Sequence, residues 1–194
     1  MPILEIGQDK INYQLKREDD IYFVKIYLDD LNGICVTAPS KKQDENVEAF
    51  IVKKKKWIKE KWIKIHDDLY QTVQIETGAR VSYLGRKYKL ITENSTEQET
   101  YFTFQKGKFF FTYPSSLSNE EIKNELNKQR DQWLQQKASE KFKQLHSNDI
   151  QSEDDHYRLG FKKEDGILLN WRLIQRSKPE IQSTIDDLIE EKTF

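Results

Sequence analysis

Residues 166–175 read Gly-Ile-Leu-Leu-Asn-Trp-Arg-Leu-Ile-Gln. The turn residues Glu164-Asp-Gly166 precede this stretch, so its apolar first half predicts a short strand over 167–170, paired with a strand around 157–161. Beyond it, Pro179 and apolar residues at helical spacing predict a final helix to about Glu191. The C-terminal part is therefore expected to be a small unit of short strands and a helix.

Two long segments with helical spacing lie upstream of this unit. Apolar residues recur at intervals of three, four and seven from Asp44 to about Asp68, which predicts one long amphipathic helix. Ser118 and Glu121 have the spacing of a capping box, so a second long helix is expected to begin there. The polar stretch 146–155 after this helix is typical of a loop.

Alternating or apolar runs predict strands before each long helix. In the first forty residues they include 21–28 and 34–36, joined by a turn at 29–33. Between the helices the predicted strands are 80–84, 87–92, 100–105 and 108–113.

These elements predict an α+β fold with antiparallel sheet or sheets, two long amphipathic helices and a small C-terminal strand-plus-helix unit. The length fits a single domain over 1–194, in which 1–115 is mainly β with one long helix and 116–194 is helical with a short hairpin. The two sheet regions are compatible with one sheet or two. No internal repeat is visible in the sequence.

Composition excludes some classes of protein. Lys plus Arg (32) nearly balance Asp plus Glu (33), so total charge favours neither a nucleic-acid binder nor a membrane-surface protein. Apolar runs are far shorter than the ~20 residues that span a bilayer, and the N-terminus lacks the pattern of a leader, so the expected location is cytoplasmic. The single cysteine, Cys35, lies in an apolar run and is expected to be buried.

The histidines do not suggest a metal site. His66, His146 and His156 are far apart, and none has a second histidine or a cysteine three or four residues away. His66 is expected to be a cationic imidazole that interacts with the dipole at the end of the first long helix. The paired acids of the chain have no histidine or cysteine partner nearby and are expected to be surface charge.

One segment is strongly basic. It runs from Lys53 to Lys64, with Trp57 and Trp62 interleaved. Its lysines are Lys53, Lys54, Lys55, Lys56, Lys59, Lys61 and Lys64. Such a segment can follow a phosphate backbone while aromatics stack on bases. The alternative is structural: the tryptophans share a buried face, and the lysines are solvated.

The stretch Leu169-Asn-Trp-Arg-Leu-Ile-Gln175, followed by Pro179-Glu180 and a helix, resembles the segment before the metal helix of YgjP-like metallopeptidases, a family of predicted metal-dependent hydrolases. Three earlier landmarks are similar and in the same order: Val36-Thr-Ala-Pro39, the lysine-rich helix with Trp57-Ile58, and Tyr83-Leu-Gly-Arg-Lys-Tyr88. The resemblance implies a zincin-like scaffold, with Asn170, Trp171 and Arg172 bordering the cleft.

The sequence departs from this pattern where the chemistry should lie. The family's Trp-Gly-Ser-Cys motif is replaced by Arg158-Leu-Gly-Phe-Lys162, and the expected HExxH by Ile185-Asp-Asp-Leu-Ile-Glu-Glu-Lys192. The sequence also ends at Phe194, before the place where a third ligand is expected. A zinc site needs about three protein ligands, so we expect neither zinc nor another cofactor, and no catalytic residue is assigned.

Three hypotheses follow. The first is a catalytically inactive YgjP-like protein that binds a protein partner through the cleft or the exposed face of the last helix. The second is a nucleic-acid-associated accessory protein that uses the Lys53–Lys64 helix, since YgjP-like proteins resemble companions of restriction systems. The third is a metal-dependent hydrolase completed by another chain. The sequence does not indicate the oligomeric state.

Overall fold

The computed structural model describes residues 3–6, 9–76, 78–145, 149–154 and 157–190. Its strands are β1 (Ile3–Ile6), β2 (Asp9–Glu18), β3 (Lys25–Asp29), β4 (Gly33–Pro39), β5 (Arg80–Tyr83), β6 (Arg86–Ser95), β7 (Tyr101–Gln105), β8 (Lys108–Pro114), β9 (Ile150–Glu153), β10 (Gly160–Lys163) and β11 (Gly166–Asn170). Its helices are α1 (Asp44–Ile65), α2 (Asp67–Tyr70), α3 (Asn119–Phe142), α4 (Lys178–Ile189) and a 3₁₀ helix (Trp171–Gln175).

The strands form three sheets that repeat one topology. The first sheet has the order β1-β2-β4-β3 and the second β5-β6-β8-β7; in each, the central pair is parallel and the two outer pairs are antiparallel. The third sheet, β10-β11-β9, repeats the last three positions of this order. Each sheet is followed by a helical segment, so the described chain is a succession of three related β-then-α units.

The buried apolar residues form two clusters. The smaller one joins the first sheet to α1 and contains Ile11, Tyr13, Ile34, Val36, Ala38, Val47, Ile51 and Ile58. The larger one joins the second and third sheets to α3 and α4, and it is rich in aromatic rings. Trp62 near the end of α1 belongs to the larger cluster, and Leu28 packs against both. The first unit thus has its own core, whereas the second and third share one.

The turn between β5 and β6 joins the second unit to the third. Leu84 and Gly85 both have positive φ, 48° and 76°, as a two-residue hairpin turn requires. Their backbone N–H groups donate to the carbonyls of Ile174 (2.8 Å) and Gln175 (3.1 Å). A Cβ on Gly85 would lie 2.7 Å from the Cβ of Ser177, so only glycine lets this turn dock against the start of α4.

Most of the predicted organisation is confirmed. The class is α+β, the two long helices begin at Asp44 and Asn119, and the capping box of Ser118 and Glu121 is present. The prediction of antiparallel pairing needs an addition, because each sheet also contains one parallel pair. Cys35 is fully buried as expected, and burial raises the pKa of its thiol to about 11. The assignment of 1–194 to one domain stays a prediction.

Three local predictions are wrong. The third strand begins at Lys25 rather than at residue 21, and the preceding Tyr22 and Phe23 are exposed. The expected loop 146–155 contains β9, and the strand expected at 157–161 begins only at Gly160. Although the sequence shows no repeat, the sheets repeat one topology, because pairing order depends on backbone contacts that many sequences can make.

Candidate functional site

The predicted cleft residues lie together at the end of β11, where the chain turns into the 3₁₀ helix. Asn170 is almost fully buried, and both polar atoms of its side-chain amide make hydrogen bonds. Its Oδ1 accepts from the backbone N–H of Arg172 (3.0 Å), and its Nδ2 donates to the carbonyl of Arg158 (3.2 Å). An amide that accepts at a helix start and donates to a neighbouring segment fixes the direction of the chain. Asn170 therefore positions the two residues that follow.

Arg172 is tied down by charge and by aromatic rings. Its Nη1 donates to Oδ1 of Asp154 at 2.5 Å. Its guanidinium lies 4.9 Å from the ring centroid of Tyr70 and 4.3 Å from that of Trp171, both within cation–π range. Tyr70 in turn accepts from Trp62 Nε1 at 2.9 Å, and burial raises its pKa. Arg172 thus links the third sheet to the end of α1 and α2.

Trp171 forms part of a cavity between α3 and β9. The cavity has a volume of about 470 Å³ and is lined by Gln132, Gln135, Gln136, Ser139, Ser152, Glu153, Asp154 and Trp171. Trp171 is only 3% exposed, and its indole Nε1 has no hydrogen-bond partner within the described residues. Ser139 and Ser152 close one part of this groove, with their hydroxyl oxygens 2.6 Å apart. We refer to this cavity as the glutamine groove.

The glutamine groove borders a sheet edge. Among the described strands, β9 pairs only with β11, so one side of its backbone has no strand neighbour. Free strand edges bind extended peptides, because their N–H and C=O groups can continue the sheet. The facing side chains of α3 are uncharged amides and a hydroxyl, which both donate and accept hydrogen bonds. The arrangement suits an extended chain of amide groups.

The buried His66 contacts a network of partly exposed charged side chains. It caps the end of α1, and its Nδ1 lies 3.2 Å from Nη2 of Arg176. Its Nε2 lies 3.1 Å from Oδ1 of Asp30, within hydrogen-bonding distance although the N–H does not point straight at the oxygen. Arg176 also binds Asp68 through two hydrogen bonds, of 2.8 and 3.2 Å.

The position of His66 at the end of α1 is as predicted, and the structure adds its contacts with Arg176 and Asp30. The interaction of a cationic imidazole with the helix dipole stays a prediction. The pKa of Asp30 is lowered, chiefly because His66 is hydrogen-bonded to its carboxylate. His146 and His156 lie outside the described residues.

The described residues do not fit the zinc ion that the resemblance implies. None of them forms a group of three or more His, Cys, Asp or Glu side chains able to hold a metal. His66 has both ring nitrogens beside charged partners, and a guanidinium next to Nδ1 would repel a cation. The helix α4 turns Ile185 and Leu188 into the core and places Asp186 and Asp187 nearer the surface. Carboxylates alone are a poor substitute for imidazole at a zinc site.

The basic helix differs from the prediction in one important respect. Trp62 is buried as expected, but Trp57 is 43% exposed, so the two tryptophans do not share a buried face. They are five residues apart, which places them about 140° apart around a helix. The seven predicted lysines are also spread around α1. Lys55 is half-buried, whereas Lys56 and Lys59 are exposed on other sides of the helix than Trp57.

The sequence suggested Asn170, Trp171 and Arg172 as cleft residues, of which Trp171 lines the groove, and it did not indicate the α3 and β9 sides. The glutamines of α3 look like an ordinary solvated face, and Gln151-Ser-Glu153 gives almost no strand signal. The one available signal was Ile150, an isolated apolar residue that is buried in the structure. Whether the predicted cleft residues bind anything stays a prediction.

The fold and the groove define an α+β protein of repeated small sheets, whose described residues include a polar groove and no group of three or more metal-ligating side chains. The sequence model of the YgjP-like family, a metallopeptidase domain, matches residues 23–183. The chain therefore belongs to the YgjP-like family. No curated protein and no solved structure gives a significant match. No helix among the described residues is both long enough and apolar enough to cross a membrane.

Proposed function

We propose that this chain is a YgjP-like protein without zinc-dependent hydrolase activity, and that it binds an extended segment of a protein partner in the glutamine groove. The observation that carries the proposal is the groove itself. It combines the uncharged donors and acceptors of α3, the open edge of β9 and the indole of Trp171, whose Nε1 has no partner among the described residues.

The chemistry of the groove favours a peptide over other ligands. An unpaired buried N–H costs roughly 1–3 kcal/mol, so a rearrangement of the groove that let a ligand carbonyl reach the buried Nε1 of Trp171 would recover that energy. Side-chain amides recognise peptide groups through paired hydrogen bonds. The carboxylate of Asp154 is already paired with Arg172, which leaves Glu153 as the acidic group at the rim that can bind a cation.

The absence of hydrolysis is supported by the chain's own residues. The sequence contains no pair of histidines at the spacing of a zinc helix, and the described part of α4 carries none at all. Among the described residues that line the groove, no nucleophile is paired with a base: Ser139 and Ser152 contact each other, and the described lining contains no histidine.

Peptide selection tests the binding proposal directly. A phage-displayed library of random 12-residue peptides would be selected against the full chain, and the enriched peptides would be synthesised and titrated by fluorescence polarisation. We expect Gln135→Ala and Trp171→Phe to weaken binding about tenfold each, because each removes a hydrogen-bonding group. Gln98→Ala changes an exposed glutamine outside the groove and should leave affinity unchanged. Equal affinities for all three variants would refute the groove as the site.

The inactivity is tested separately. Purified chain dialysed against zinc would be analysed for bound metal and incubated with unfolded casein. We expect substoichiometric zinc and no cleavage. Stoichiometric zinc with casein turnover would refute this part of the proposal, whatever the peptide experiment shows.

A further inference from the structure

One flank of α1 combines exposed aromatic surface with lysines. Steps of three or four residues place Phe50, Lys53, Lys54, Trp57, Lys61 and Lys64 within about 100° of the helix circumference. Trp57 is 43% exposed, and Lys53, Lys61 and Lys64 are exposed around it. We refer to these six residues as the lysine stripe.

The lysine stripe is not neutralised by its surroundings. In the described part of the chain, no carboxylate lies within ion-pair distance of Lys53, Lys61 or Lys64, and Lys54 contacts the ring of Phe50 at 5.9 Å. Glu60 borders the stripe but pairs with Lys56 at 3.8 Å, and Asp44 is bound by Arg17. A local excess of positive charge therefore exists on a chain whose formal net charge is −1.

The packing of α1 fixes the stripe in space. The side of the helix about 90° from the centre of the stripe carries Val47, Ile51 and Ile58, all fully buried against the first sheet. A helix held by this core presents its outer residues on a rigid surface. Consecutive stripe residues are then about 5–6 Å apart, in a row along the helix axis. The arrangement differs from a flexible lysine tail because the indole has a fixed place between the cations.

We infer that the lysine stripe is a binding surface for single-stranded nucleic acid, with the lysines contacting phosphates and Trp57 stacking on an unpaired base. Cations complement the phosphate backbone, and an accessible indole flanked by cations is the arrangement that stacks bases without sequence preference. Duplex DNA does not offer the face of a base to Trp57. A purely electrostatic partner, such as an anionic lipid surface, would not require the exposed indole.

The test is fluorescence anisotropy of a fluorescein-labelled 20-nucleotide oligo(dT) titrated with the full chain. We expect binding at 50 mM salt that weakens with a log–log slope of roughly −3, from about −0.7 for each of four lysine contacts. Trp57→Ala should weaken binding about tenfold without changing the slope, since it removes stacking and not charge. An unlabelled duplex of the same length should compete more weakly than unlabelled oligo(dT).

The matched control lies on the same helix. Lys59 and Lys61 are both exposed, but they are about 160° apart, and only Lys61 belongs to the stripe. Lys61→Glu should weaken binding more than tenfold, and Lys59→Glu, with the same change in net charge, less than about threefold. Three results would each overturn the inference. They are equal losses of affinity in Lys61→Glu and Lys59→Glu, an unchanged affinity for Trp57→Ala, and binding to phosphatidylserine vesicles without binding to oligo(dT). Thermal unfolding of each variant checks that the fold is retained.

Discussion

The first and second units of this protein use one strand order and differ in nearly everything else. The first sheet and α1 enclose a small core that is aliphatic except for Tyr13, and α1 presents lysines and Trp57 outward. The second sheet and α3 enclose an aromatic core that includes Phe102, Phe109 and Phe111, and α3 presents glutamines to a groove. Strand order therefore does not determine the surface chemistry of the helix that follows the sheet. The same order precedes a cationic helix in the first unit and a neutral polar helix in the second.

The largest effects should come from the two cores. Ile51 and Leu126 are fully buried aliphatic residues on α1 and α3. Truncation of either to alanine should cost about 2–5 kcal/mol of unfolding free energy. Urea unfolding measures the total, and native-state hydrogen exchange shows which unit loses protection.

The distribution of lost protection separates two possibilities. Ile51→Ala should weaken protection mainly in the first unit, whereas Leu126→Ala should weaken the second and third units together, because they share one cluster. Uniform loss of protection in both variants would show that the two cores unfold together. The first and second units would then not differ in their stability against unfolding.

The second difference is how the helices begin. The start of α3 has a capping box in which the side chains of Ser118 and Glu121 bind each other's backbone N–H groups. The start of α1, at Gln43, has no side-chain cap. Ser118→Ala should therefore cost about 1 kcal/mol of unfolding free energy, measured by urea unfolding. Ser115→Ala, just before the helix, is the control and should have little effect.

Local signals explain what the sequence predicted well. Ser118 and Glu121 are three residues apart, and the apolar residues of both long helices recur within single turns, so short-range rules suffice. Trp57 was misplaced because a five-residue step from Trp62 was treated as one face, although it covers about 140°. That error could have been avoided from the sequence alone.

The remaining misses depend on tertiary contacts. The strand β9 has one buried apolar residue, Ile150, and owes its conformation to pairing with β11. His66 and Arg176 are 110 residues apart in the sequence, so no local pattern could show that their side chains meet. The groove likewise exists only where α3 approaches β9. These features require the folded chain, whereas Asn170-Trp-Arg172 could be proposed as site residues from the resemblance.

A smaller change in the free energy of unfolding is expected at Asp30, where the first unit meets the segment that leads into α4. Its pKa in the folded state is lowered, mainly by hydrogen bonding from His66, below the unfolded value near 3.9. Ionised Asp30 therefore stabilises the fold above about pH 4, and this contribution is lost as pH falls through the folded-state pKa.

Asp30→Asn should lower stability at pH 7 and should make the loss of stability between pH 4 and pH 2 shallower than in the parent chain. Urea unfolding across this pH range measures both effects. Asp186→Asn, a change to a carboxylate on α4 that contacts Gln182, serves as the control. An unchanged acid profile for Asp30→Asn would mean that the His66 contact does not contribute to stability.

The smallest expected effect is a gain, at the uncapped start of α1. Gln43 has φ −63° and ψ 147°, the extended conformation that a capping serine adopts, and the matching residues before α3 and α4 are both serine. Gln43→Ser should therefore raise the unfolding free energy by about 0.5 kcal/mol, because the hydroxyl can accept from a free N–H in the first turn. Gln43→Ala, which offers no acceptor, is the matched control. If serine and alanine gave the same stability, the first turn of α1 would already be satisfied by other groups, and the difference in capping between the two units would have no energetic consequence.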